Sequence, residues 1–181
     1  MPTAEQIQQI TLLPLVVHGG LINAADRDVV TQPANCSLVE DPVSQASWGT
    51  AMSVAQQAYA DSASNDYHSL VWAALAVFET PAAASNALSK VTEALTACTG
   101  VYSSPDHKDQ NTWLATDLQT DATSATWSAV LQDTDIHWGC GKAVKQQANL
   151  LSFGDVCTHN PADRPAKIAD QVLSAATKQA L

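Results

Sequence analysis

The residues of this 181-residue chain most committed to chemistry are its four cysteines, at positions 36, 98, 140 and 157. Cysteines ligate metals, attack electrophiles or pair. No C-x-x-C spacing and no Cys/His cluster is present to build a zinc site. Two of the four bracket the stretch GCGKAVKQQANLLSFGDVCT, residues 139–158. Folded about Ala148-Asn149, this stretch sets Gln147 opposite Leu150, Val144 opposite Phe153, Lys142 opposite Asp155 and Cys140 opposite Cys157. Gln147:Leu150 is the first hydrogen-bonded pair, and counting outward puts Cys140:Cys157 at a non-hydrogen-bonded pair. There the Cα atoms of opposed strands approach to about 4.5 Å, within reach of a disulfide. The segment reads as a β-hairpin closed by its own bridge. Neither Ala148 nor Asn149 is glycine, so a longer loop of the same symmetry fits the spacing as well. Cys36–Cys98 then follows by elimination. Loop-closure entropy gives about 3 kcal/mol for the hairpin bridge and about 4 kcal/mol for the longer one.

Other reactive constellations fail on their own terms. Gly139-Cys140-Gly141-Lys142 hints at a phosphate loop, but that motif needs glycine where Ile136 stands and Ser or Thr where Ala143 stands. No G-x-S-x-G elbow supplies a serine nucleophile, and bridged cysteines cannot act as one. The five histidines, His18, His68, His107, His137 and His159, are scattered, with no H-E-x-x-H. PDHKD (105–109) and DTDIH (133–137) gather metal-capable donors, yet neither follows the alternating Asp rhythm of a calcium loop. No catalytic residue, cofactor or metal is expected.

Disulfides in a domain long enough to bury a core place the chain in an oxidising compartment. The start, MPTAEQIQQITLLPLVVHGG, has no basic leader region, and Pro14 interrupts its apolar run. No stretch approaches the ~18 apolar residues of a membrane span. The expectation is a chain that natively continues upstream into a signal peptide, a lipid-anchor cysteine or a transmembrane helix, with Met1 at an artificial boundary. Eight basic against eighteen acidic residues give a net charge of −10. Such a surface repels phosphate backbones and anionic headgroups, so no nucleic acid is expected and any membrane contact runs through an N-terminal anchor. Charged residues make up 14% of the chain, against about 25% in typical soluble domains, which leaves solvation to Ser, Thr, Gln and Asn.

The elements that must position these residues follow from periodicity. TAEQIQQITLL is a short amphipathic helix with Thr3 as N-cap and Ile7, Ile10 and Leu13 inward. Residues 14–50 read as irregular. AMSVAQQAYA (51–60) alternates weakly, and SLVWAALAVF (69–78), apolar on both faces, reads as a central strand. Thr80 then caps a helix with Pro81 in its first turn, running to about Cys98, with Gly100 beyond its end. Leu88, Val91, Leu95 and Cys98 form its inward stripe. NTWLATDL (111–118) and TSATWSAVLQ (123–132) are strands about the turn QTDA. In the second, Ala125, Trp127 and Ala129 share one face and Ser124, Thr126 and Ser128 the other. The hairpin follows, and a helix from about Asp163, with Pro165 in its first turn and Ile168 and Val172 on one side, closes the chain. The fold class is α+β: an antiparallel sheet of about six strands, two main helices packed on it, and two disulfides, all within a single domain over 1–181.

The cysteine spacings, WGCGKAV leading into a hairpin, VWAALAVFETPAAASNAL and the closing helix together resemble the extracellular sensor domain of PknH-type mycobacterial serine/threonine kinases. That family is shared with envelope lipoproteins and secreted proteins. The paired cysteines and Trp138 shortly before Cys140 are its most specific marks here. The resemblance runs over about 35–181 and is weakest over 1–34, the N-terminal helix and irregular lead-in. The chain departs at the turn, where relatives often carry an Asn-rich pair, and it has no kinase region. The resemblance implies an extracytoplasmic domain with a cleft for a ligand and no known catalytic residue.

Recognition would fall to the aromatics: Trp48, Tyr59, Trp113, Trp127 and Trp138 are the candidate ligand-binding residues, with Trp72 on the central strand. Two substantial helices cannot cover six strands, so part of one sheet face is expected to stay open as a partly apolar surface. The expected function is binding, without turnover, of a small-molecule, lipid or glycan ligand of the envelope. The alternatives are an envelope protein partner docked on a convex apolar patch, or a hydrolase with an unrecognised site.

Overall fold

In the computed structural model, residues 1–64, 66–98, 100–104, 111–132 and 138–179 are described. PDHKD (105–109) and DTDIH (133–137) lie outside them.

Among the described residues eight antiparallel strands form one sheet: β1 (Val16–Ile22), β2 (Ser53–Ala60), β3 (Leu70–Val77), β4 (Gly100–Ser103), β5 (Thr112–Thr120), β6 (Ser124–Leu131), β7 (Gly139–Gln147) and β8 (Leu150–Thr158). Their spatial order is β1-β2-β3-β8-β7-β6-β5-β4. The expected count of about six is corrected by β1 and β4. VVHGGLI has no alternation to signal a strand. It pairs with β2 from Val16↔Ala60 to His18↔Ala58, then slips register before Ile22↔Gln56. Nearly all of it is exposed. Four-residue β4 is too short to carry a period, and its pairing to β5 defines it.

Among the described residues five α-helices replace the two main ones expected: α1 (Ala4–Thr11), α2 (Ser37–Glu40), α3 (Gln45–Trp48), α4 (Pro81–Ala97) and α5 (Arg164–Gln179). The long pair, α4 and α5, are the two main helices that were read, and α1 is the short amphipathic helix read at the start of the chain. One-turn α2 and α3 lie in the segment read as irregular, because four residues display no helical stripe. Thr3 caps α1 in a reciprocal capping box with Gln6, and the Thr80 hydroxyl accepts from the Ala83 amide at the start of α4.

Helices pack on both faces of the sheet. On one, α4, α2 and α3 enclose Trp48, Phe78, Leu88, Val91, Leu95, Trp127 and Phe153. On the other, α5 and α1 enclose Ile7, Leu15, Tyr59, Val71, Val156, Ile168 and Val172. Helix α5 lies over β8, β7 and β3. Its close approach depends on glycine: a Cβ at Gly154 would stand 2.4 Å from the Pro165 carbonyl oxygen.

The hairpin has the register read from its sequence. Gln147↔Leu150, Val144↔Phe153, Lys142↔Asp155 and Cys140↔Cys157 are all partners. Ala148 takes a left-handed φ of 53°, as a two-residue hairpin turn requires. Cys140–Cys157 is bridged across 3.9 Å between Cα atoms, and Cys36–Cys98 across 4.9 Å. The second bridge ties the turn at Ala34–Cys36, just ahead of α2, to the end of α4.

Candidate functional site

Alternate cross-strand pairs of the disulfide hairpin face opposite sides of the sheet. On the α4 face β7 places Cys140, Lys142 and Val144, and β8 places Phe153, Asp155 and Cys157. Above them the chain between α2 and α3 crosses the sheet, pinned to residues far upstream by the bridge Asp26↔Ser44. A recess of about 320 Å3 remains between that crossing and the sheet.

Its floor is the Cys140–Cys157 bridge with Phe153, Lys142 and Asp155; its walls are Trp72, Trp113 and Trp138; Asp26, Glu40 and Asp41 line the crossing side. Trp113 and Trp138 meet with ring centroids 6.0 Å apart and planes inclined at 50°. The Trp72 indole N–H donates to Gln56 Oε1 at 2.7 Å, and that of Trp138 to the His68 carbonyl at 3.2 Å. These bonds fix both rings by their edges.

The charges are arranged around one buried cation. Lys142 is 7% exposed. Its Nζ donates to the Glu40 carbonyl and lies 3.6 Å from Asp155 Oδ2. Burial pushes the Asp155 carboxyl up to about 6, with Lys142 opposing. Burial likewise raises Asp41 to about 6, against a hydrogen bond from the Val43 amide. Asp26 is raised by burial too. For Lys142 the neighbouring carboxylates outweigh desolvation and raise its pKa, so it stays charged. The Tyr102 hydroxyl donates to Glu40 Oε2 at 2.7 Å, and burial raises it beyond the ordinary tyrosine range. Nothing in this set resembles an activated nucleophile. It is a desolvated ionic cluster under aromatic walls.

The tryptophans named from sequence separate into two groups. Trp113 and Trp138 line the recess, joined by Trp72. Trp48 and Trp127 are core residues, Trp127 anchored by its indole N–H to the Val39 carbonyl beneath α2. Tyr59 lies on the other face, fully buried under α1, its hydroxyl donating to the Pro2 carbonyl. Asp26 and Asp41 were missed, since isolated acids in an aperiodic segment carry no motif. Trp113, Trp138 and the Lys142:Asp155 cross-strand pair were the residues read from sequence that meet here.

Part of the sheet is left open, as expected, but on the face opposite the tryptophans. Beside the first turn of α5, Thr126 and Ser128 of β6 line a polar groove with Asp117, Gln119, Pro165, Ala166 and the chain at 159–163. The apolar aromatic surface and the open sheet face are therefore different places.

The family model for the PknH-like extracellular domain matches residues 1–175. The match begins at the first residue, upstream of the stretch in which the resemblance was read. No curated protein matches the sequence. Among solved structures, the crystal structure of the extracellular domain of PknH from Mycobacterium tuberculosis superposes with a TM-score of 0.86. It covers 98% of this chain and 93% of that one at 13% identity, a likeness of fold. No helix among the described residues is long and apolar enough to cross a membrane. With an α+β sheet, two disulfides and a family match over nearly its whole length, the chain belongs to the PknH-like extracellular domain family, an extracytoplasmic sensor-type family.

Proposed function

We propose that this domain works by binding rather than turnover, taking a small or amphiphilic ligand of the cell envelope in the recess beneath Trp72, Trp113 and Trp138. One observation carries the reading. Three indoles and a buried ion cluster converge on a cavity of about 320 Å3, the mix of apolar walls and few fixed polar groups that defines small-molecule sites. A hydrolase finds no support: among the described residues no histidine ring hydrogen-bonds a serine hydroxyl, and the buried Nδ1 of His18 has no partner among them.

Native mass spectrometry of the domain recovered from its own envelope should show a retained non-protein mass. Intrinsic fluorescence should shift when that material is added back to stripped protein. Trp138→Ala tests the place, because Trp138 is only partly buried and its loss leaves the core filled. The variant should keep the wild-type thermal midpoint within a few degrees and lose most of the shift. A variant that folds normally and responds as the wild type does would remove this recess from consideration.

A protein-docking role is favoured by one separate feature. Leu12, Val16, Val17, Leu21 and Ile22 are all exposed around edge strand β1, an apolar patch of the kind that marks interaction surfaces. Retention of a protein rather than a small molecule, lost on Val17→Lys and kept on Trp138→Ala, would make docking the better reading.

A further inference from the structure

We infer that the group seated in the tryptophan recess is an organic cation, a quaternary or protonated nitrogen on the ligand's headgroup. The inference rests on the recess being the binding site and names the chemistry that it selects.

The walls point first. Two of the three indoles have their electropositive N–H edges engaged by Gln56 and His68. The π faces are what these rings have left to present, and a ring face attracts cations through its quadrupole. The inclined Trp113–Trp138 pair adds a second face at an angle to the first.

The lining charge agrees. Four carboxylates, Asp26, Glu40, Asp41 and Asp155, face the recess, and Lys142 is the one cation among its described residues. Lys142 is already engaged with Asp155 and the Glu40 carbonyl. Neither Asp26 nor Asp41 forms an ion pair among the described residues. Burial disfavours the charge of both, raising Asp26 and taking Asp41 up to about 6. Gln56 at Asp26, and the Val43 amide and Lys142 at Asp41, offset that burial only in part. An entering cation would add to the compensation, whereas a phosphate or carboxylate headgroup would meet repulsion on every side but one.

The spacing of the acids argues against a metal ion. A hard cation needs several oxygens drawn into one small sphere. Among the described residues the sole trio of potential ligands that close together is Cys140, Asp155 and Cys157, and two of those are in the disulfide. Carboxylates spread around an aromatic-walled cavity suit a larger, softly hydrated cation such as a trimethylammonium group.

The test uses choline and 3,3-dimethylbutan-1-ol, which share a shape and differ by the charge. Each is titrated into the wild-type domain at pH 7.5 with tryptophan emission as the readout. Choline should reach half-saturation at a concentration at least threefold lower than the alcohol. Asp41→Asn or Asp26→Asn should shrink that ratio. In Asp41→Asn the side-chain amide keeps an oxygen to accept from the Val43 N–H, so the local turn survives. A wild-type ratio below threefold, with both compounds binding, overturns the cation inference and leaves the recess as a site for neutral ligands. A ratio unchanged in both variants also overturns it. If neither compound alters the emission, the inference falls together with the recess as the binding place.

Discussion

Replacing Lys142 by methionine removes the one cation from the ionic cluster while nearly preserving side-chain length and volume. Lys142 is 7% exposed, with its Nζ 3.6 Å from Asp155 Oδ2 and hydrogen-bonded to the Glu40 carbonyl. At pH 7.5 the variant must either hold the Asp155 carboxylate in a desolvated place without its cation or protonate it. Breaking a buried pair in this way costs about 3–5 kcal/mol. The pH dependence is the sharper part. The Asp155 carboxyl already titrates at about 6 because burial opposes its charge, and loss of Lys142 raises it further. At pH 5 the group is neutral in both proteins. What remains of the cost is then the lost charged hydrogen bond to Glu40, about 1.5–3 kcal/mol. Urea unfolding at the two pH values should therefore show the Lys142→Met penalty shrinking by about 2 kcal/mol on acidification. Lys142→Met/Asp155→Asn, which removes both charges, should recover most of the pH 7.5 loss. A penalty below about 1 kcal/mol at pH 7.5, or one equal at both pH values, would refute the claim that desolvation governs this cluster.

Other outcomes follow from the same geometry. In Cys36→Ser/Cys98→Ser the segment 14–50 loses its tie to α4, and limited proteolysis should cut there first; protection equal to the wild type counts against the bridge as its anchor. Loss of Cys140–Cys157 should be survivable, since β7 and β8 stay paired to each other and to β6 and β3; failure of Cys140→Ser/Cys157→Ser to give a cooperative unfolding transition would contradict this. Gly154→Ala puts a methyl group 2.4 Å from the Pro165 carbonyl oxygen, backbone that cannot swing aside, so calorimetry should find at least about 1–3 kcal/mol lost to overpacking; an unchanged thermal midpoint would contradict the close seating of α5. Asp41 is raised from 3.8 to about 6, so its ionisation weakens the fold above about 6 and that penalty is relieved as pH falls toward 4, a contribution of at most about 3 kcal/mol. The gain in thermal midpoint between pH 7.5 and 5 should be smaller in Asp41→Asn than in the wild type, and an equal gain would contradict the assignment.

What could be read from the sequence was what neighbouring residues decide among themselves. The hairpin register follows from pairing parity over a few residues either side of Ala148-Asn149, and α4 follows from Thr80, Pro81 and the stripe Leu88, Val91, Leu95. Strand β1 was invisible because its pairing to β2, and not its own pattern, makes it a strand. The tryptophans show the same limit more sharply. Alternation correctly puts Trp127 on one face of β6, but nothing local says that α2 will lie over it while Trp113, on the same face of β5, remains at the edge of a cavity. That difference is decided by where residues 26–44 cross the sheet. The crossing is held by Asp26↔Ser44 and by Cys36–Cys98, contacts between parts of the chain 18 and 62 residues apart. The recess thus has a floor written in one hairpin and a roof set by two long-range ties. It follows that the floor residues should tolerate exchange only in register-matched pairs. The acids of the roof can change one at a time, altering which ligand charge the recess accepts without altering the sheet beneath.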